Sequence, residues 1–312
     1  MKRCLITGAS GFVGANLARR LVQDGHEVHV LLRAGYQPWR LQEIRSLLQI
    51  HPVDLTDHEL VRQTVRLIRP DWVFHLAAYG AYPTQTGFAR MVDTNLMGTV
   101  ALLDACVEAG VEAFVYTGSS SEYGYKDHPP REDELLEPNS HYAITKAAAT
   151  HYCQFVARKS NVNAVAVRLY SIYGPYEEPT RLIPTLIAYG LRGTLPPLVS
   201  PATARDFVYV EDAVDALVRI ASQSRRRGAV YNLCTGRQTT LAMVVETARR
   251  LMHIPVEPVW SSMERRSWDT DVWIGSGACM ENEIGWRAET DFASGLQRTI
   301  EWFQAHPQYH RV

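Results

Sequence analysis

The sequence predicts an α/β protein: a doubly wound parallel sheet followed by a smaller C-terminal lobe. Three observations carry that reading. Short apolar runs alternate with helix-like segments over the first 170 residues, the pattern of strands joined by crossover helices. A glycine-rich turn, Gly8-Ala9-Ser10-Gly11-Phe12-Val13-Gly14, separates the first apolar run from the first helical one. Beyond residue 170 the pattern loosens, and Pro175, Pro179, Pro184, Pro196, Pro197 and Pro201 fall close together. At 312 residues the chain exceeds the usual single-domain size of about 100–200 residues. The sequence therefore divides into 1–170, which 206–229 rejoins, and a lobe made of 171–205 and 230–312.

Bulk composition narrows the function classes. Hydrophobic residues make up 46% and charged residues 21%, enough for a full core. A formal net charge of −1 gives no general attraction to nucleic acid or to an anionic membrane. The run Arg225-Arg226-Arg227 reads as a solvated turn after a helix. The five cysteines, at 4, 106, 153, 234 and 279, have neither C-x-x-C nor metal-ligand spacing. They are expected to be buried reduced thiols, so no metal site is predicted. No signal peptide precedes the first strand, and no apolar run approaches the 18 residues needed to span a bilayer. A soluble cytoplasmic protein is expected.

Each element then follows in order. Lys2–Thr7 is a strand, Ala15–Asp24 a helix ended by Gly25, and Glu27–Leu32 a second strand. In that β-turn-α-β context the glycines allow a tight turn and let the backbone approach a pyrophosphate at the helix N-terminus. This makes Gly8, Gly11, Phe12, Val13 and Gly14 a candidate dinucleotide site. The second strand ends Leu31-Leu32-Arg33, without the acid that usually holds the ribose 2′-hydroxyl of NAD. Arg33 suits a 2′-phosphate, because guanidinium pairs with phosphate and stacks on adenine. NADP is the expected cofactor, with NAD possible if Arg33 only faces solvent. Trp72–Ala78 is a buried strand ending in small residues, and Glu112–Tyr116 a further strand leading into Ser119-Ser120-Ser121-Glu122-Tyr123-Gly124. Tyr142 and Lys146 stand four apart on a helix, so they share a face one turn apart. An ammonium beside a phenol favours the phenolate, and is expected to lower the Tyr142 pKa toward neutrality.

The G-x-x-G-x-x-G loop together with Tyr142-x-x-x-Lys146 resembles the short-chain dehydrogenase/reductase superfamily, and the chain length resembles its extended, nucleotide-sugar branch. The resemblance runs from Gly8 to about Trp286. It implies a Rossmann-type sheet and a nicotinamide cofactor, with Asp54 meeting the adenine amino group and Leu55 beside the ring. The alternative for Asp54 is a cap on the helix that starts near Asp57. Ala77 and Ala78 match small residues that let the backbone lie against the cofactor, and His75 is expected to be structural. Asn95 and Thr99 match a pattern that fixes active-site backbone. Ser119, four residues before the Tyr of Tyr123-Gly124, matches the strand-end hydroxyl that orients a sugar oxygen, and Ser120 is the next candidate. Arg205 in Arg205-Asp206-Phe207-Val208-Tyr209 and Arg266 in Arg265-Arg266-Ser267-Trp268-Asp269 match arginines that grip the substrate diphosphate. The helices around 91–109 and after Lys146 resemble the dimer-forming pair, so a homodimer is expected.

One departure bears on the reaction. Dehydratases of this branch carry Asp-Glu directly after the strand-end Ser or Thr, where this chain has Ser120 and Ser121. Glu122 is one step further and would point to the opposite face of an extended chain. The resemblance therefore implies reduction at C4 of a 4-keto-6-deoxy nucleoside-diphosphate sugar by NADPH, with Tyr142 as proton donor. Two alternatives stay open: a 4-epimerase that keeps and recycles NAD, and a non-catalytic NADP(H) sensor of the same fold. Glu177, Glu178, Thr180 and Arg181 stand where the lobe begins and fit either sugar contacts or a surface loop.

Overall fold

The computed structural model describes residues 1–82, 84–264 and 270–309. A seven-stranded sheet is formed by β1 (Arg3–Thr7), β2 (Glu27–Leu32), β3 (Leu48–Pro52), β4 (Trp72–His75), β5 (Ala113–Ser119), β6 (Ala164–Leu169) and, later in the chain, β10 (Val230–Leu233). Its order is β10-β6-β5-β4-β1-β2-β3. Every pairing in it is parallel. Apart from the edge strand β3, the strands are short, mostly buried and rich in Val, Ile, Leu and Phe, as a sheet covered on both faces requires.

Period-two alternation assigns the strand side chains to two cores. Cys4, Ile6, Val28, Val30, Val115 and Val167 pack with Leu17 and Leu21 of α1 (Phe12–Gln23) and with Val214, Leu217 and Ile220 of α7 (Val210–Gln223). Leu5, Val73, Phe114, Tyr116 and Ala166 pack on the other face. Their partners lie on α2 (His58–Ile68), α4 (Gly98–Ala109) and α5 (His141–Ser160). α3 (Phe88–Met91) runs into α4 through one π-helical stretch, Val92–Met97.

The smaller lobe has its own core, in which Ile183, Leu186, Val244, Val245, Leu296 and Ile300 meet. They come from α6 (Leu182–Gly190), α8 (Leu241–Met252) and α10 (Phe292–Ala305). Two small ribbons join it to the sheet: β7 (Ser171–Tyr173) with β9 (Phe207–Tyr209), and β8 (Ala204–Arg205) with β11 (Thr239–Thr240). The sequence reading puts 230–312 in this lobe, yet β10 extends the main sheet, pairing Val230 with Ala166 and Leu233 with Leu169. Its four residues are all buried, and α9 (Ala278–Ile284) packs beside it. Four of the five cysteines are buried, and all five are free thiols. No helix among the described residues is long and apolar enough to cross a membrane.

One carboxylate ties sheet to lobe. Asp206, fully buried, accepts from the Thr235 amide (2.8 Å) and hydroxyl (2.7 Å), and from the amides of Gly236 (3.0 Å) and Gly275 (3.3 Å). Replacing it strands these donors away from water. Asp206→Ala is expected to cost about 2–3 kcal/mol, read as a lower urea midpoint at unchanged slope. A loss under about 0.5 kcal/mol would show the donors rehydrated and the tie unimportant.

Candidate active site

In a doubly wound sheet the crevice opens at the carboxyl ends of the strands where the strand order reverses. Here β1 lies between β2 and β4, and the glycine turn follows β1 at that point. Gly8 adopts φ +74°, and a Cβ on it would stand 2.6 Å from the Ala77 amide nitrogen at the end of β4. A Cβ on Gly14 would fall on the Gly8 carbonyl oxygen. The turn closes with the Gly11 amide donating to Gly8 O (2.9 Å). Gly11 starts α1 without a side-chain cap, so the leading amides, Phe12 and Val13 among them, have no side-chain acceptor there. Glycines in which any side chain would collide, beside an uncapped helix start, fit a dinucleotide pyrophosphate.

Around this turn the structure places Arg33 exposed just past β2, and Ala77 and Ala78 just past β4. Asp54 accepts from the Thr56 amide (3.1 Å) and hydroxyl (3.0 Å), while α2 is capped by Asp57 instead. The helix-cap alternative for Asp54 is thus corrected. Leu55 is buried, and Gly98 leaves room for it. His75 is fully buried between the hydroxyls of Thr7 (2.6 Å) and Thr99 (2.8 Å). Burial pushes its pKa down to about 3, so it stays neutral and structural. Asn95, within the π-helical stretch, accepts from the Tyr79 amide (2.7 Å) and donates to Tyr79 O (2.8 Å) and to the Thr145 hydroxyl (3.0 Å). It thereby fixes the backbone after β4 to the helix that carries Tyr142.

Ser140 caps α5, its hydroxyl accepting from the Ala143 amide (3.2 Å), and so presents Tyr142 in the first turn. Ser119, at the end of β5, acts on the Tyr142 phenol, and its own hydroxyl is hydrogen-bonded to the Ser121 hydroxyl (2.7 Å). Lys146 is buried one turn on, and its ammonium donates to Thr117 O (2.5 Å). The pKa expectation is overturned here. Burial first, then the Glu122 charge, push the Tyr142 phenol up to about 12, against the pull of Arg181 and Ser119. Lys146 itself is pushed down to about 8 by burial, with Glu122 opposing.

Glu122 also corrects the expected geometry. Ser120–Tyr123 is a 3₁₀ turn, not extended chain, and it swings Glu122 inward to 0% exposure. The carboxylate accepts from the Ser119 amide (2.9 Å), the Thr150 hydroxyl (3.1 Å) and Arg168 Nε (2.9 Å). Arg168, at the end of β6, also donates to the Tyr123 hydroxyl (2.6 Å) and to Glu132 O (3.1 Å). The sequence carried a signal for this in Ser119-x-x-Glu122, a capping box, which the structure forms with both halves present. Arg168 as its partner had no local signal.

On the lobe side, Arg205 lies with its guanidinium carbon 5.4 Å from the centre of the Trp273 ring. Ser120 lines a small hollow with Tyr170, Lys126 and Trp273. Arg266, the other expected diphosphate ligand, lies outside the described residues. The buried Glu122–Arg168 pair yields a test of this arrangement. Arg168→Leu leaves an uncompensated buried carboxylate and is expected to cost about 3–5 kcal/mol of stability, most of it recovered in Glu122→Gln/Arg168→Leu. Additive losses in the double variant, measured by urea denaturation, would refute the pairing.

Known proteins share this fold. The chain is 24% identical to the trifunctional UDP-glucose 4,6-dehydratase/UDP-4-keto-6-deoxy-D-glucose 3,5-epimerase/UDP-4-keto-L-rhamnose-reductase RHM1 of Arabidopsis thaliana, over 99% of the chain but only 48% of that protein's length. Its fold superposes on UDP-glucose 4-epimerase of Thermotoga maritima, solved with UDP-glucose, with a TM-score of 0.88 and 26% identity over 97% of this chain and 98% of that one. MoeE5, solved with UDP-glucuronic acid and NAD, gives 0.83 and 31% identity over 97% and 99% of the two chains. The model of the NAD-dependent epimerase/dehydratase family matches residues 4–234, and the chain belongs to that family.

Proposed function

We propose that the chain reduces a 4-keto-6-deoxy nucleoside-diphosphate sugar at C4, with NADPH as hydride donor. The observation that carries the reading is the convergence of Tyr142 and Lys146 of α5 on the carboxyl end of β5, where Lys146 bonds Thr117 O and Ser119 acts on a phenol that stays protonated at neutral pH. A protonated phenol is equipped to give a proton rather than to take one.

The glycine loop with Phe12 and Val13 would hold the pyrophosphate, Asp54 and Leu55 the adenine side, and Ala77 and Ala78 the approach to the nicotinamide. Arg33, exposed beyond β2, would meet a ribose 2′-phosphate. When bound, the dinucleotide supplies a hydride equivalent to the sugar carbonyl carbon. Ser119 donates to the carbonyl oxygen and holds it beside Tyr142. Tyr142 then gives its proton to that oxygen, so that ketone, hydride and proton balance as the alcohol. Lys146 holds the nicotinamide ribose, and its charge supports the phenolate left behind. Ser120, Arg205 and Arg266 serve the substrate, the two arginines at the diphosphate.

Loss of water across C5 and C6 needs an acid and a base beside Ser119. Ser120 and Ser121 are neither, and Glu122 is committed to Arg168, which supports reduction over dehydration. A second reading, 4-epimerisation with retained NAD, is supported by the likeness to the Thermotoga maritima epimerase. The presence of both Tyr142 and Lys146 weighs against a non-catalytic NADP(H) sensor. Exposed Phe88, Met97, Ile144 and Phe155 on the 88–109 helix and α5 support a homodimer. Free buried thiols support a cytoplasmic setting.

Tyr142→Phe is expected to lower kcat by about 10²–10⁴ while cofactor affinity stays within about twofold. Full activity in that variant would remove Tyr142 from the mechanism. Reductase and epimerase separate on the nucleotide released when the purified protein is denatured and analysed by mass. A site that arrives empty and fills with NADPH is the expected result. Near-stoichiometric NAD⁺ would turn the assignment to the epimerase.

A further inference from the structure

The segment that joins β7 to α6 carries a backbone irregularity. Tyr176 sits at φ +68°, in the left-handed region that a bulky side chain avoids. It is held there from several sides. Its carbonyl accepts from Arg40 Nε (2.8 Å), and its hydroxyl donates to Glu43 (2.6 Å). The Arg19 guanidinium lies 3.8 Å from its ring centre, and the Trp302 ring 4.6 Å away. Arg40, itself buried, also donates to Ser10 O (3.3 Å) in the glycine turn and pairs with Glu178 (2.9 Å). Strain that is locked by contacts from α1, the 39–47 segment and α10 is the kind that marks a functional position.

The consequence falls on the next residue. Glu178 turns to Arg40, whereas Glu177 turns inward and keeps 8% exposure. Glu177 Oε2 is sealed and has no hydrogen-bond partner, and among the described residues no other acid is in that position. The buried carboxylates of Glu122 and Asp206, by contrast, accept three and four hydrogen bonds. Burial pushes the Glu177 carboxyl up to about 8, opposed by the charge of Arg181, the backbone of Gly174 and the charge of Arg40, and supported by the charge of Glu178. Arg181 also acts on Tyr142, as does Tyr82, whose phenol in turn feels the Glu177 charge. Arg181 lies 5.5 Å from the Tyr82 ring centre. Glu177 stands between Tyr176 and Glu178, both bound by Arg40, which also reaches Ser10 O in the glycine turn, so it lies at the junction of lobe and crevice.

We propose that Glu177 is a sugar-binding residue of this site, its carboxyl taking a hydroxyl of the hexose; this rests on the nucleotide-sugar reading above. An unionised carboxyl offers one donor and an acceptor, the complement of a hydroxyl. A buried carboxyl oxygen without a protein partner calls for one, and a ligand hydroxyl supplies it. A site built this way favours a sugar that presents the hydroxyl over one that lacks it, because the lacking sugar leaves the carboxyl unpaired. The role is in the sugar increment of binding, separate from the diphosphate grip of Arg205.

The test titrates the full chain, saturated with NADPH, with UDP-glucose and dTDP-glucose and with UDP and dTDP alone. The ratio of diphosphate Kd to sugar-diphosphate Kd isolates the sugar. Glu177→Ala is expected to reduce that ratio by about tenfold, with affinity for the bare diphosphates within twofold. Glu177→Gln, which keeps a donor and an acceptor, is expected to retain most of it at pH 7. In the wild type the ratio should fall as pH rises through about 8, and in Glu177→Gln it should stay flat. An unchanged ratio in Glu177→Ala overturns the proposal while leaving the nucleotide-sugar reading intact. Failure of the wild type to bind any of the four ligands overturns both.

Discussion

The buried carboxylate of Glu122 is the constraint on which the catalytic geometry depends. A charge at 0% exposure survives only if paired and hydrogen-bonded, because an isolated one costs several kcal/mol. Three elements meet that demand together: the Ser119 amide at the end of β5, Thr150 on α5 and Arg168 at the end of β6. Satisfying one charge thus fixes the relative positions of the strand that carries Ser119 and the helix that carries Tyr142 and Lys146. Gly118 takes part by its lack of a side chain, since a Cβ there would collide with the Glu122 carboxylate.

The same charge sets the electrostatics of the site. It acts on Tyr142 and Lys146 with opposite practical results. For the phenol it adds to burial and holds the proton on. For the ammonium it resists burial and helps to keep the charge. The site therefore holds a neutral acid and a cation side by side, which the Tyr142-x-x-x-Lys146 spacing alone did not reveal. The nearby lysine alone would lower the phenol pKa. Burial and a carboxylate twenty residues upstream outweigh it, and the ammonium is directed at Thr117 O.

What the sequence disclosed and what it hid follow from the range of the interactions involved. The glycine turn, the Tyr142/Lys146 face and the covered parallel strands are local patterns, each imposed within a few residues by backbone geometry, so they could be read directly. The place of β10 was hidden because edge pairing to β6 joins residues about 64 positions apart, and the Val230–Leu233 run is too short to declare its partner. Glu122 was visible as the last residue of a capping box, but its charge partner stands 46 positions away. Glu177 was legible only as an acid in a proline-rich stretch. Its inward direction is set by the left-handed Tyr176, a residue type that gives no warning of that conformation.

The position of Tyr176 shows how the two lobes are made to agree at the site. Arg40 connects the glycine turn, through Ser10 O, with the first residues of the lobe, through Tyr176 O and Glu178. Movement of the lobe relative to the dinucleotide turn would have to break these bonds and release the strained backbone at once. Around them, Trp39, Trp302 and Tyr309 pack with the Tyr176 ring, so α10 and Tyr309 close over the same junction. A hydride can pass between cofactor and sugar only when the two are held within about 3–3.5 Å of each other. In the proposed function one is held by the sheet and the other largely by the lobe, so that precision has to come from a junction of this kind. On that proposal catalytic alignment is a property of the lobe junction as much as of Ser119, Tyr142 and Lys146 themselves.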